Sequence, residues 1–180
     1  MTRIEKYNEH WRQSFELEKS AILKIAAQWI EKIEQVGSTA VPNLPAKPTI
    51  DICVGVNSLE IADSHIVNTL ITQLGYIYLP ELETTIPERR YLQKLDVNGD
   101  HLVHIHIVKI DEHLWNEYIN FRDYLIANPE VTNNYADLKI KLKNQFGHDR
   151  KLYTAGKAKF IQEALKNINQ EHSSKGSYKK

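Results

Sequence analysis

The stretch Glu34–Val54, EQVGSTAVPNLPAKPTIDICV, runs from a short β-rich segment through a Gly-Ser pair and a proline-rich loop into a second β-rich segment. Residues 49–56, TIDICVGV, are β-branched and apolar on both faces except at Asp51, which is the pattern of a strand buried in the middle of a sheet. Residues 32–36 supply a shorter strand before the turn. Gly37 there admits backbone geometry that a side chain would forbid. Pro42, Pro45 and Pro48 keep the connection irregular. A carboxylate inside such a strand is costly unless it has a partner, so Asp51 is the first candidate functional residue.

Working outward, residues 7–31 place Trp11, Phe15, Ile22, Ile25, Ala26 and Trp29 near helical spacing and predict a long amphipathic helix. Residues 59–74 predict a second helix ended by Gly75, and 76–79 a short strand. Residues 89–110 contain Asn98-Gly99 between β-rich arms, which predicts a hairpin with a two-residue type I′ turn. Period-two alternation puts His104 and His106 on one face of the second arm and His101 on the other. Beyond Asp111, taken as a helix N-cap, three helices are predicted over about 112–127, 130–146 and 150–169. The order favours an α/β (α+β) fold with a helical C-terminal third. The expected division is a core over 1–110, a helical segment packed on it over 111–170 and a flexible tail over 171–180.

Composition bounds the function. With 42% hydrophobic and 26% charged residues, a chain of 180 residues can build a real core. Its formal net charge is zero, which gives no case for nucleic-acid binding by bulk phosphate neutralisation. From Asp137 onward, however, eleven Lys or Arg stand against four Asp or Glu. No apolar run reaches the roughly twenty residues of a membrane span, and the N-terminus has no signal-like apolar stretch, so a cytoplasmic protein is expected. The single cysteine, Cys53, reads as a small buried hydrophobe on its strand.

Two later segments join the opening one in a wider pattern. EQVGSTAVPNLPAKPTIDI, FRDYLIANPEVTNNYADLK and YTAGKAKFI together resemble the GrpB family, a group assigned to the nucleotidyltransferase superfamily. The resemblance covers about Tyr7 to Leu165. It implies a small mixed sheet flanked by helices, a Gly-Ser turn holding a nucleoside triphosphate and strand carboxylates holding magnesium. Gly37 and Ser38 match the Gly-Ser motif, with Thr39 as a further hydroxyl, and Asp51 matches the first carboxylate of an Asp-x-Asp pattern. Cys53 occupies the second. Residues two apart on a strand share a face, so two carboxylates there could share one magnesium ion, which sulfur would serve poorly.

Three groups could complete such a site. Glu34 could supply the missing carboxylate if it faces Asp51; the alternative is an exposed strand glutamate, and parity leaves both open. His104 and His106 stand near the strand position where the superfamily carries its third catalytic carboxylate, so with Asp51 and Glu34 they are candidate metal ligands and, with Asp51, candidate catalytic residues. Lys47, Arg89, Arg90, Arg122 and Lys157 are candidate phosphate-binding cations, each with an ordinary surface charge as its alternative. The expected ligand is a nucleotide or another phosphorylated small molecule. Three readings follow: magnesium-dependent nucleotidyl transfer to an unknown acceptor, a catalytically degenerate module that binds a nucleotide or phosphorylated ligand, and a hydrolase using Asp51, His104 and His106 to hold zinc or iron.

Overall fold

In a computed structural model, residues 3–176 are described, with side chains for 3–149 and 151–170. Helix α1 (His10–Ala26) leads through a short 3-10 turn into strand β1 (Lys32–Val36), and β2 (Ile50–Val56) follows the proline-rich loop. Residues 59–74 wind as α2 (Leu59–Ile61), a π-helical stretch Ala62–Ile66 and α3 (Val67–Leu74). Ser58 accepts the Ile61 amide at the start, and left-handed Gly75 closes the end by donating to the Ile71 carbonyl. Strand β3 is Ile77–Tyr78, and the hairpin strands are β4 (Arg89–Leu95) and β5 (His101–Lys109).

The five strands form one mixed sheet in the order β1-β2-β5-β4-β3. Strand β2 pairs antiparallel with β1 and parallel with β5, so β2 and β5 are its central pair. Their burial on both faces is what the continuous apolar run in residues 49–56 requires. One face carries Ile50, Ile52, Val54, Val56, Val103, Ile105 and Ile107, which pack with Trp11, Phe15, Ile22 and Ala26 of α1 and Val67 and Leu70 of α3 in the main core. The helical third covers part of the other face: α4 (His113–Ala127), α5 (Pro129–Phe146) and α6 (Arg150–Gly176). Trp115 of α4 packs there on Val36, Cys53 and Val108, and its ring lies so close to Gly55 that a Cβ would come within 2.9 Å.

Local chemistry departs from expectation at three places. The β4–β5 hairpin does not close with a two-residue type I′ turn, which needs positive φ at both central residues. Only Gly99 has it, at 82°. Asp96 and Asp100 pair through a backbone bond, and Gly99 donates to the Asp96 carbonyl, giving a three-residue loop. The Asp96 carboxylate accepts the Asn98 and Asp100 amides and so stabilises this longer turn. Asp111 is not the cap of α4: it sits at φ 58°, and Glu112 is the flanking residue. Helix α6 reaches Gly176 rather than ending near 169, and residues 177–180 of the expected tail lie outside the described residues.

Candidate functional site

The site lies on the sheet face that α4 packs against, where Tyr118 of that helix reaches it. Asp51 heads β2 on the face opposite the main core, paired with Val36 of β1 and His104 of β5. The Gly37–Ser38 turn leaves β1 beside it. Gly37 has φ 69°, and a Cβ there would lie 2.3 Å from Asp51 Oδ2, so only glycine lets the turn approach this carboxylate. The turn's internal bonds begin with Ala40 donating to the Gly37 carbonyl. Thr39, by contrast, is consumed by the fold: its buried hydroxyl donates to the Thr49 carbonyl at 3.2 Å and tethers the turn to β2.

Two histidines face Asp51. His104 Nδ1 donates to Asp51 Oδ1 at 2.9 Å, and His106 Nε2 faces the same oxygen at 3.9 Å. Burial pushes the Asp51 carboxyl up, but the bonds and charges of the two histidines outweigh it and hold the group well below the usual carboxylate range. The His106 ring is buried, which lowers its pKa. Arg89 Nη1 approaches His106 Nδ1 at 3.4 Å, and since a guanidinium only donates, Nδ1 is the acceptor and the proton sits on Nε2, toward Asp51. Tyr118 Oη of α4 lies 3.1 Å from both His106 Nδ1 and Arg89 Nη1. Arg89 also stacks over Tyr91, and its Nε is buried without a hydrogen-bond partner, an unused donor at this edge of the site.

His101 belongs to the same chain of contacts, contrary to strict alternation. Strand β4 pairs Lys94 with Val103 but Leu95 with His101, so Leu102 is an extra residue in β5. That bulge turns His101 onto the His104 face, where its Nδ1 meets His104 Nε2 at 3.0 Å. With Nδ1 of His104 committed to Asp51, Nε2 accepts from His101. The row His101–His104–Asp51 fixes the tautomer and orientation of the His104 ring from both sides.

The second carboxylate position is closed. Cys53 shares the Asp51 face but is wholly buried under Trp115, and burial, with the charge of Glu34 added, pushes its thiol up. Glu34 does face the same side, opposite Cys53 in register, but its Oε2 accepts from Arg122 Nη1 at 2.8 Å. Arg122 also donates to the Gln35 carbonyl and to Asp123, so it fastens α4 to β1. Arg90 projects from the other face of β4 and pairs with Asp63 in the π-helical stretch and with Glu83, away from Asp51. Among the described residues, no three His, Cys, Asp or Glu side chains are grouped to hold a metal ion. One carboxylate with an oxygen on His104, and two histidines with committed ring nitrogens, do not fit a two-carboxylate magnesium centre.

Cations gather instead on the helical side of the turn. Tyr135 of α5 is buried near Ser38, whose side chain acts on the tyrosine hydroxyl. One turn along α5, Lys139 is buried, lies over the Tyr135 ring and donates to the Pro45 carbonyl at 2.5 Å. Burial, and secondarily the charge of Lys157, pushes its pKa down to about 7. Lys157 lies over Tyr153 of α6. Lys47 sits half-buried in the proline-rich loop.

The family model described as "GrpB protein" matches residues 1–167. The chain belongs to the GrpB family. The glutamate-rich protein GrpB of Alkalihalophilus pseudofirmus is 36% identical to it over 161 residues, 88% of this chain and 91% of that protein. The UPF0157 protein YqkA of Bacillus subtilis is 34% identical over 89% of this chain, which spans only 45% of YqkA. The crystal structure of the conserved protein GrpB from Enterococcus faecalis matches with a TM-score of 0.84 at 31% identity, covering 94% of this chain and 99% of that one. The mixed α/β fold with its helical C-terminal part is therefore a GrpB fold.

Within this GrpB chain, sequence reasoning missed His101, Tyr118, Tyr135 and Lys139. The three consecutive alternate histidines of the hairpin, counted with Leu102 as an insertion, were a usable signal for His101. Lys139 had none: it sits among other lysines in KIKLK, and only packing distinguishes it. Among the described residues, no helix is long and apolar enough to cross a membrane.

Proposed function

We propose that this chain binds a phosphorylated small molecule, a nucleotide foremost, at the Gly37–Ser38 turn. The observation that carries this reading is the meeting of three elements there: a glycine turn pressed against Asp51, Tyr135 buried near Ser38, and Lys139 with Lys157 on the helices behind. Backbone amides at such a turn point at an anion, and lysines supply compensating charge. Asp51 would repel a phosphate if it stood bare, but its Oδ1 is taken by the His104 N–H, with His106 Nε2 facing the same oxygen. The site then works as a binding module in which histidines occupy the place of metal-holding carboxylates.

A second reading, nucleotidyl transfer with magnesium to an unknown acceptor, draws support from Asp51 standing beside the turn. It lacks the partner carboxylate, since Cys53 is roofed by Trp115 and Glu34 is held by Arg122. A zinc- or iron-dependent hydrolase would need His104 and His106 to give up their present bonds. Calorimetric titration with nonhydrolysable nucleoside triphosphates, with and without a chelator, separates the readings. Binding that persists without divalent metal is expected. Binding that requires magnesium, together with pyrophosphate release from natural nucleoside triphosphates that is lost in Asp51→Ala, would establish transfer instead.

A further inference from the structure

Of the four ring nitrogens on His104 and His106, three are bonded among the described residues: His104 Nδ1 to Asp51, His104 Nε2 to His101, and His106 Nδ1 to Arg89 and Tyr118. His106 Nε2 is the exception. Arg89 donates to the Tyr118 hydroxyl as well as to Nδ1, so the hydroxyl proton also turns toward Nδ1 and the ring carries its own proton on Nε2. That N–H faces Asp51 Oδ1 at 3.9 Å, where the two attract without closing a hydrogen bond. Oδ1 in turn accepts from His104 and keeps a lone pair to spare. A donor and an acceptor thus stand side by side across a gap, and the Asp51 side chain, 27% exposed, opens that gap to solvent. Tyr91 packs against both rings, with centroids 5.5 Å from His104 and 5.3 Å from His106, and so holds the width of the gap.

We infer that this gap is a hydroxyl-recognising clamp: an alcohol oxygen of the bound ligand accepts from His106 Nε2 and donates to Asp51 Oδ1. An oxygen about 2.8 Å from each atom fits as the apex of a triangle over the 3.9 Å base. Only a group that both accepts and donates serves the two sides. A phosphate or carboxylate oxygen would meet the Asp51 charge, a metal ion would meet the His106 proton, and an ammonium could not accept. Oδ2 of the same carboxylate lies against the Gly37 turn, so the hydroxyl stands beside the place where the phosphate binds. The inference rests on the phosphate-binding reading above and narrows it. The ligand is a polyol phosphate with a hydroxyl within a few bonds of its phosphate, either the ribose of a nucleotide or a simpler sugar or glycerol ester. An analogue that lacks this hydroxyl leaves the N–H and the carboxylate unserved, the loss by which hydrogen-bonding sites reject deoxy ligands.

The test is calorimetric titration of the full chain, with a chelator present, using the four ribonucleoside triphosphates against their 2′,3′-dideoxy counterparts and glycerol 3-phosphate against propyl phosphate. The hydroxylated member of at least one pair is expected to bind more tightly by about tenfold or more, and the pair that shows the preference tells a nucleotide from a simpler ester. His106→Phe, which keeps an aromatic ring and loses the donor, is expected to bind both members equally, at the affinity native protein has for the deoxy form. Nitrogen NMR of native protein gives an independent readout should the variant fold poorly. His106 is expected to carry its proton on Nε2 in the free state, and that proton to move downfield with the hydroxylated ligand and not with its deoxy partner. Equal binding of both members of every pair that binds, a preference that persists in His106→Phe, or a His106 proton on Nδ1 overturns the clamp and spares the phosphate site. Failure of every triphosphate and ester to bind native protein overturns the phosphate-binding reading, and the clamp with it.

Discussion

At the scale of single residues, Asp51 and Cys53 occupy equivalent strand positions and have opposite fates. Both point to the α4 side of the sheet. Asp51 lies beyond the end of the Trp115 cluster and meets His104, whereas Cys53 lies beneath it. Restoring a carboxylate at position 53 would therefore bury it among Val36, Val108 and Trp115 instead of adding a metal ligand. Cys53→Asp is expected to lower unfolding free energy by about 3–5 kcal/mol, the cost of a buried charge without a partner, and to confer no magnesium-dependent nucleotide binding. Urea denaturation and calorimetry check the two halves. A stable variant that gains magnesium-dependent binding would show that the cluster yields easily and that the missing carboxylate alone limits the site.

At the scale of elements, the site depends on how α4 is fastened across β1. Arg122 supplies this by bridging Glu34 and the Gln35 carbonyl, with a side chain only 16% exposed against 42% for Glu34. The pair is half-screened, so its contribution is modest. Arg122→Ala is expected to cost about 1–2 kcal/mol, mostly through the lost carbonyl bond, and to speed amide exchange in Lys32–Val36 before the rest of the sheet. Exchange that accelerates uniformly instead would mean that α4 and β1 open only with the whole fold. Element order was legible from hydrophobic period and turn residues, because both are local. The Leu102 bulge was not, since an extra residue is visible only against the strand it pairs with. That bulge is what brings His101 to the site.

At the scale of the whole molecule, burial of titratable groups ties stability to pH. Lys139 and His106 are bases held down in the folded state, so the unfolded chain binds more protons between each folded value and its ordinary one. For Lys139 that window runs from about 7 up to its ordinary 10.5, and for His106 it lies below 6.5. Asp51, an acid held down, contributes stability above its ordinary 3.8 that is lost as pH falls below it. All three have the same sign, and stability is expected to fall on acidification. Between pH 7 and 9, native protein should gain stability relative to Lys139→Met by about 1 kcal/mol per pH unit. Parallel urea midpoints across that range would show that Lys139 titrates normally in the fold.

The sequence by itself determined the helix and strand order, the buried strand around Asp51, the Gly-Ser turn before it and the family pattern. These rest on residues close together in the chain, where spacing and turn chemistry carry the information. Tertiary structure alone decided that Trp115 closes the Cys53 position, that Arg122 takes Glu34, that Arg90 turns away, and that Lys139 is buried against the Pro45 carbonyl. Each of those outcomes joins residues tens of positions apart. Sequence spacing does not encode such contacts, whereas packing fixes which charge is paired and which face stays open.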